Sequence, residues 1–291
     1  MLQSTGQTLL EDVLRRVTIR AGSFIVTIYG DVVEPRGGEL WMGNLIEICD
    51  AVGISETLVR TAVSRLVSAG QLTSEKVGRR SYYRLTKNAQ REFAEASRIL
   101  FRPVPETKGW LFAVGPEQNG GGEPADGFVK VGPNIYAAPD LGNGWPDGGA
   151  VFRAETVHGL EKLPDFARTH WDVAGFGASY KAFIKAFTPL KVLLDQEQGL
   201  PGHDSLVLRL ALVHAYRMIA LRDPRLPKAA LGEDWPGEEA RLLFGDLYLR
   251  LSTRADAFVA RSLVNAGGAL TEDSTVVCGR RESLSNIFTT I

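Results

Sequence analysis

The sequence predicts an α+β chain in three consecutive parts, and three observations predict it. Residues 1–104 carry helical apolar periodicity that ends in a basic hairpin pattern. Residues 105–175 read as short strands broken by Gly and Pro. Residues 176–291 return to helical periodicity, apart from a weakly patterned tail from residue 266 onward.

Composition sets the frame. Of 291 residues, 44% are hydrophobic and 23% charged, as in ordinary globular proteins. The formal net charge of -1 gives no bulk attraction to nucleic acid or acidic lipid, so any electrostatic partner must meet a local patch. The amino terminus carries Glu11, Asp12, Arg15, Arg16 and Arg20 and does not read as a signal peptide. Arg209, His214 and Arg217 interrupt the best apolar run, so no transmembrane helix and no membrane partner are expected. Cys49 and Cys278 lack CxxC spacing, which fits a reducing, cytoplasmic setting.

In the first part, "WMGNLIEICDAVG" reads as a short helix with Leu45, Ile46 and Cys49 inward and Gly53 at its end. Ser55 is placed to cap a second helix, with Glu56 in its first turn. Val59, Ala62, Val63, Leu66 and Val67 form its buried stripe, and Gly70 closes it. Thr57, Arg60, Thr61, Ser64, Arg65 and Ser68 lie opposite. "QLTSEK" and "SYYRLT" then flank "VGRR", a hairpin with Gly78 in its turn. Two helices, a tight turn and a hairpin make a winged helix-turn-helix.

Between residues 55 and 91 eight Lys or Arg stand against two Glu, a local net of +6 in a chain of net -1. A helix face of Arg, Thr and Ser suits base edges and phosphates, and an arginine-tipped wing suits phosphates or a narrow minor groove. Arg60, Thr61, Ser64 and Arg65 are the candidates for base or groove contact. Lys76, Arg79, Arg80 and Arg84 are the candidates on the wing. Tyr82 and Tyr83 alternate faces, so at most one reaches DNA. A solvated basic face, or a winged helix that docks a protein, is the alternative.

In the middle part, "KGWLFAV", "GFVKV", "NIYAA" and "AVFRAET" are the strands. Gly115 to Gly149 hold ten Gly and five Pro, a density that favours loops over helices. In the last part, "SLVLRLALVHAYRMIALRDPRLP" predicts a helix with Leu206, Leu210, Val213 and Met218 on one stripe, stopped at Asp223-Pro224. A second helix restarts at Pro236 and buries Ala240, Leu243, Phe244, Leu247 and Leu251. The four histidines have no HxxxH or HExxH spacing, and no GxSxG elbow or Gly-rich phosphate loop appears, so neither a catalytic nor a metal site is expected.

Two blocks, "GDVVEPRGGELWMGNLI" with "GRRSYYRLT", and "HAYRMIALRDPRLP" with "GEDWPG", make the chain resemble the PaaX family of phenylacetic acid degradation repressors. The resemblance covers nearly the whole chain. It implies a winged helix-turn-helix over 1–104, a ferredoxin-like domain similar to the Cas2 nucleases over 105–175, and a helical effector and dimerisation domain over 176–291. It further implies a cytoplasmic homodimer on double-stranded operator DNA, no cofactor, and release by phenylacetyl-CoA or a related acyl-CoA. The chain departs from the pattern where "GPEQNGGGEPADG" replaces the first crossover helix. The first strand also lacks the Asp a nuclease would need, with only Glu117 beyond it.

Arg209, Arg217, Arg222 and Arg225 are the candidates for the thioester's phosphates, with His214 beside them and Trp235 as the floor of an acyl pocket. An Arg217–Asp223 ion pair with Trp235 in the core is the structural alternative. Two functional alternatives stand beside the main one: a same-fold regulator answering another acyl-CoA or aromatic acid, and a CoA-thioester enzyme that uses its winged helix for protein docking.

Overall fold

The computed structural model describes residues 2–103, 107, 109–115, 127–142, 149–196 and 199–289. Two compact units form. One combines Met1–Pro103, Ala182–Leu221 and Glu239–Ile291, and the other combines Val104–Lys181 with Arg222–Glu238.

The first unit begins with α1 (Leu2–Arg16) and α2 (Ala21–Ile28), continued by a π turn over Tyr29–Val33 and a 3-10 turn over Glu34–Arg36. Gly37 and Gly38 follow at φ +97° and +77°, values open to glycine, and turn the chain into β1 (Glu39–Trp41). Next come α3 (Met42–Asp50) and α4 (Glu56–Ser68), then the hairpin β2 (Leu72–Val77) and β3 (Arg80–Leu85), and α5 (Lys87–Phe101). β3 lies between β1 and β2, antiparallel to both.

Local chemistry explains these boundaries. Val59, Ala62 and Val63 of α4 are buried, while Leu66 and Val67 are only partly so. Gly70 at φ +69° ends α4 in a Schellman arrangement, in which the Gly70 and Gln71 amides bond the Val67 and Leu66 carbonyls. Ser55 occupies the N-cap position without a side-chain cap bond, contrary to the expected hydroxyl cap. Thr86 caps α5 instead, accepting from the Ala89 amide at 3.3 Å. Gly78, at φ +60°, takes the first central position of the two-residue hairpin turn, where a left-handed residue matches the strand twist.

The carboxyl-terminal helices of this unit are the later part of α7 (Val173–Asp195), α8 (Gly202–Ala220), most of α10 (Gly237–Ser262) and α11 (Thr275–Thr289), with a small hairpin of β8 (Val264–Asn265) and β9 (Gly268–Ala269). Every residue of α8 from Ser205 to His214 is buried, the signature of a helix enclosed on all sides. The single-stripe expectation is therefore corrected. Leu206, Leu210 and Val213 are core, but Met218 is 44% exposed. Leu206 and Leu210 join Ala255, Val259, Leu263 and Leu270 in the same core as α2, α3 and α4. Ala240, Leu243, Phe244, Leu247 and Leu251 of α10 are buried as expected.

The tail that periodicity left unassigned contains α11. Ser274 caps it by accepting from the Val277 amide at 3.1 Å, and Val277 and Leu284 are buried. Arg280, itself only 5% exposed, interrupts the apolar stripe of this helix.

The second unit is built on β4 (Trp110–Val114), β5 (Val129–Gly132), β6 (Ile135–Pro139) and β7 (Ala150–Ala154), in the order β5-β6-β4-β7 with all neighbours antiparallel. All four expected strands are present. Trp110 and Ala137 on one face pack with Ala167 of α6 (Leu163–His170), with Trp171, and with Leu226 and Ala230 around α9 (Lys228–Leu231). The Gly-rich segment expected to replace a crossover helix, with Glu117, lies outside the described residues for most of its length. Among the described residues no helix is long and apolar enough to cross a membrane, and no group of three His, Cys, Asp or Glu is placed to hold a metal.

Candidate nucleic-acid interface

Arg60, Thr61, Ser64, Arg65, Lys76, Arg79, Arg80 and Arg84 are all exposed, on α4 and the β2–β3 hairpin. Their surroundings differ. Arg60 pairs with Glu56 one turn earlier at 2.7 Å, an exposed contact of under ~1 kcal/mol that gives way easily to a stronger anion. The Thr61 hydroxyl donates to the Thr57 carbonyl at 2.8 Å. Arg65, Lys76 and Arg79 form no ion pair with any described residue, so their charges face solvent.

Arg80 and Arg84 are committed to their own sheet. Strand pairing sets Trp41 opposite Tyr82 and Glu39 opposite Arg84. The Arg80 guanidinium lies 4.6 Å from the centre of the Trp41 ring, a cation–π contact. Arg84 donates to Glu39 at 2.6 Å, and the other Glu39 oxygen accepts from the Ala266 amide at 2.8 Å. Burial opposes charge on Glu39, yet the Ala266 amide and Arg84 together hold its carboxyl below the usual range. Neither tyrosine is free: Tyr82 is 6% exposed, and Tyr83 packs on the core side.

Sequence reasoning missed how residues 36–44 grip the segment after α10. Arg36 donates to the Thr271 and Glu272 carbonyls at 2.8 and 3.1 Å. The Asn44 amide donates to the Ser262 carbonyl at 3.0 Å and accepts from Val264 at 2.9 Å. Arg36 of the 3-10 turn, Asn44 of α3 and Glu39 of β1 thus satisfy backbone groups at the end of α10 and in the segment after it. The signal was a polar Asn inside the apolar "WMGNLIEIC", whose partner is remote in sequence.

Of the residues expected to meet an acyl-CoA, three serve the first unit's interior. Arg209, 1% exposed, bonds Asp31 at 2.9 Å and Asp256 at 2.7 Å. Burial works against its charge, but Asp31, Tyr248 and Asp256 outweigh that and raise its pKa. Asp256 also receives Arg36 at 2.7 Å and Arg281, which gathers three guanidinium groups on one carboxylate. Tyr248 completes the cluster by donating to Asp31 at 2.9 Å. His214 donates from Nε2 to the Thr18 carbonyl at 3.2 Å, and its Nδ1 lies 2.9 Å from the Thr27 hydroxyl, which also faces the Ser23 carbonyl at 3.2 Å. Burial, then the Arg217 charge, push its pKa down to about 4, against the bond to Thr18. Arg217 donates to Thr27 at 2.9 Å and to Ser23 at 3.1 Å. The expectation for Arg209 and His214 is corrected accordingly, since both are closed to solvent, whereas the half-buried Arg217 turns its donors to Thr27 and Ser23.

The other three lie in the second unit. Arg222 is exposed, and Arg225 and Trp235 are half-buried. Trp235 meets Tyr180 edge-on at 5.7 Å. Asp223 accepts from the Tyr180 hydroxyl and the Arg225 amide, each at 2.7 Å, which replaces the Arg217–Asp223 ion pair offered as an alternative. Arg225 takes the left-handed φ of +55°, uncommon for a non-glycine residue, and its Nε has no partner among the described residues.

The fold and the site together define an α+β protein whose solvent-facing chemistry is a basic helix and hairpin. The family model described as PaaX-like protein matches residues 20–89, and that described as PaaX-like protein C-terminal domain matches residues 171–261. Over 287 residues the chain is 31% identical to the transcriptional repressor PaaX of Escherichia coli (strain K12), with 90% of each chain covered. The chain belongs to the PaaX family. The uncharacterized protein Rv0674 from Mycobacterium tuberculosis, a solved structure, is similar with a TM-score of 0.47 at 20% identity, over 74% of this chain and 89% of that one. The expectation that the chain is no enzyme agrees with a family whose named relative is a transcriptional repressor.

Proposed function

We propose that the chain is a DNA-binding transcriptional repressor of phenylacetate-type catabolic genes. α2 to α4 with the three-stranded sheet act as a winged helix-turn-helix, α4 being the reading helix. The observation that carries this reading is the exposure of Arg60, Thr61, Ser64, Arg65, Lys76 and Arg79 on one helix and hairpin within a segment of net +6. The name of the Escherichia coli relative supports it.

DNA reading is assigned to 1–104, a small sheet domain to 105–175, and effector response with dimerisation to 176–291, a stretch whose helices divide between the two compact units. The strand order β5-β6-β4-β7 with antiparallel neighbours suits a split βαβ, ferredoxin-like sheet. A cytoplasmic homodimer binds a two-fold operator, and an aryl-acetyl-CoA such as phenylacetyl-CoA releases it. With Arg209, His214 and Arg217 turned inward, Arg222, Arg225 and Trp235 are left to meet the thioester. The ligand acts through its affinity difference between DNA-competent and DNA-incompetent states.

Fluorescence anisotropy on the DNA upstream of its own gene, with a scrambled duplex as control, tests this directly. Specific binding that phenylacetyl-CoA abolishes is expected. Binding indifferent to the thioester points to another acyl-CoA or aromatic acid, and equal binding to both duplexes at that promoter removes it as the operator.

A further inference from the structure

Leu58 is the third residue of α4 and is 55% exposed. It adds nothing to the core, because Val59, Ala62 and Val63 fill that side of the helix. Thr61 and Arg65, three and seven residues on, continue its row, and Thr57, Arg60 and Ser64 complete a face of hydroxyl and guanidinium groups that is exposed throughout. Left in water this side chain contributes nothing, whereas an apolar counterpart within a negatively charged partner would gain its burial.

We propose that Leu58 packs on the C5-methyl group of a thymine in the major groove and so specifies a T·A pair in each half-site. This rests on the reading of α4 as the DNA-reading helix. The thymine methyl is the one apolar group the bases display in the major groove. The first turn of a recognition helix is the part that reaches base edges. Arg65 lies in the same row as Leu58, and Arg60 further round the exposed side of the helix, within the segment of net +6, so a nucleic-acid partner satisfies both this charge and the apolar surface of Leu58. A second copy of the chain or another protein would have to cover these arginines as well, and a matching acidic surface would then be required.

The test uses the full chain. Preferred duplexes are enriched from a random-sequence pool, and each thymine of the preferred site is then replaced singly by deoxyuridine, which removes only the methyl group. At one thymine per half-site the wild type is expected to lose about fourfold in affinity, the worth of one buried methyl. Leu58→Ala, on an exposed side chain and so with unchanged thermal unfolding, is expected to bind thymine and deoxyuridine there equally. If the wild type is indifferent to deoxyuridine everywhere, or Leu58→Ala keeps the same loss, Leu58 does not read thymine although DNA reading stands. If no duplex is enriched over the starting pool, the DNA-reading role itself fails, and this assignment with it.

Discussion

Arg209 and Asp31 are 178 positions apart in the chain and 2.9 Å apart in the core, and their side chains are closed to solvent. Their pair joins α8 to the π turn that follows α2, within the unit that carries the proposed reading helix. A buried charge that loses its counter-ion costs far more than the intact pair contributes. Asp31→Ala is therefore expected to destabilise the first unit by ~3–5 kcal/mol, read as a lower urea midpoint at unchanged slope. A change below ~1 kcal/mol would mean that Asp256 alone neutralises Arg209.

His214 gives a pH signature. Its folded pKa of about 4 lies below its ordinary 6.5, so between those values the unfolded chain binds a proton that the folded chain refuses. Stability is then full above pH 6.5 and falls as pH drops toward 4, by up to ~3 kcal/mol. His214→Gln is expected to flatten this window in urea titrations at stepped pH. An unchanged pH dependence would assign the acid limb to other groups.

Arg79 and Arg84 separate a phosphate contact from a strut. Arg79 carries an uncompensated charge at the hairpin tip, whereas Glu39 neutralises Arg84. Arg79→Ala is expected to lower the slope of log K against log salt by about 1. Arg84→Ala should leave the slope near the wild-type value while weakening binding through a loosened hairpin. Equal slope changes in the two variants would place Arg84 on DNA as well.

Trp235→Ala and Arg225→Ala are expected to keep operator affinity but require several-fold more phenylacetyl-CoA for release. Release at the wild-type concentration in both would make Trp235 and Arg225 purely structural.

The cysteines report folding. Burial pushes the Cys49 thiol up to about 12, whereas Cys278 is exposed. A thiol reagent at neutral pH should modify one cysteine in the native protein, with the second reacting only at the rate of unfolding. Two fast equivalents would show that α3 opens readily.

By itself the sequence determined what short-range chemistry decides. The stripe of Val59, Ala62 and Val63, the glycines at 53, 70 and 78, and the alternation of "KGWLFAV" each act over a few residues, so α4, the hairpin and the strands were legible. The basic face on α4 was legible for the same reason, since exposed groups need no partner from elsewhere. Only the tertiary structure decided which arginines remain available. Arg209 and Arg217 look like ligands for phosphate in a linear reading, but α8 is enclosed and their partners Asp31, Asp256, Thr27 and Ser23 come from distant segments. Likewise α11 is hidden by Arg280 in its own stripe, and Glu39 and Arg84 become a pair only when β1 and β3 align. Local pattern records what each residue prefers; which charges neutralise one another depends on long-range contacts, which leave no periodic trace in the chain.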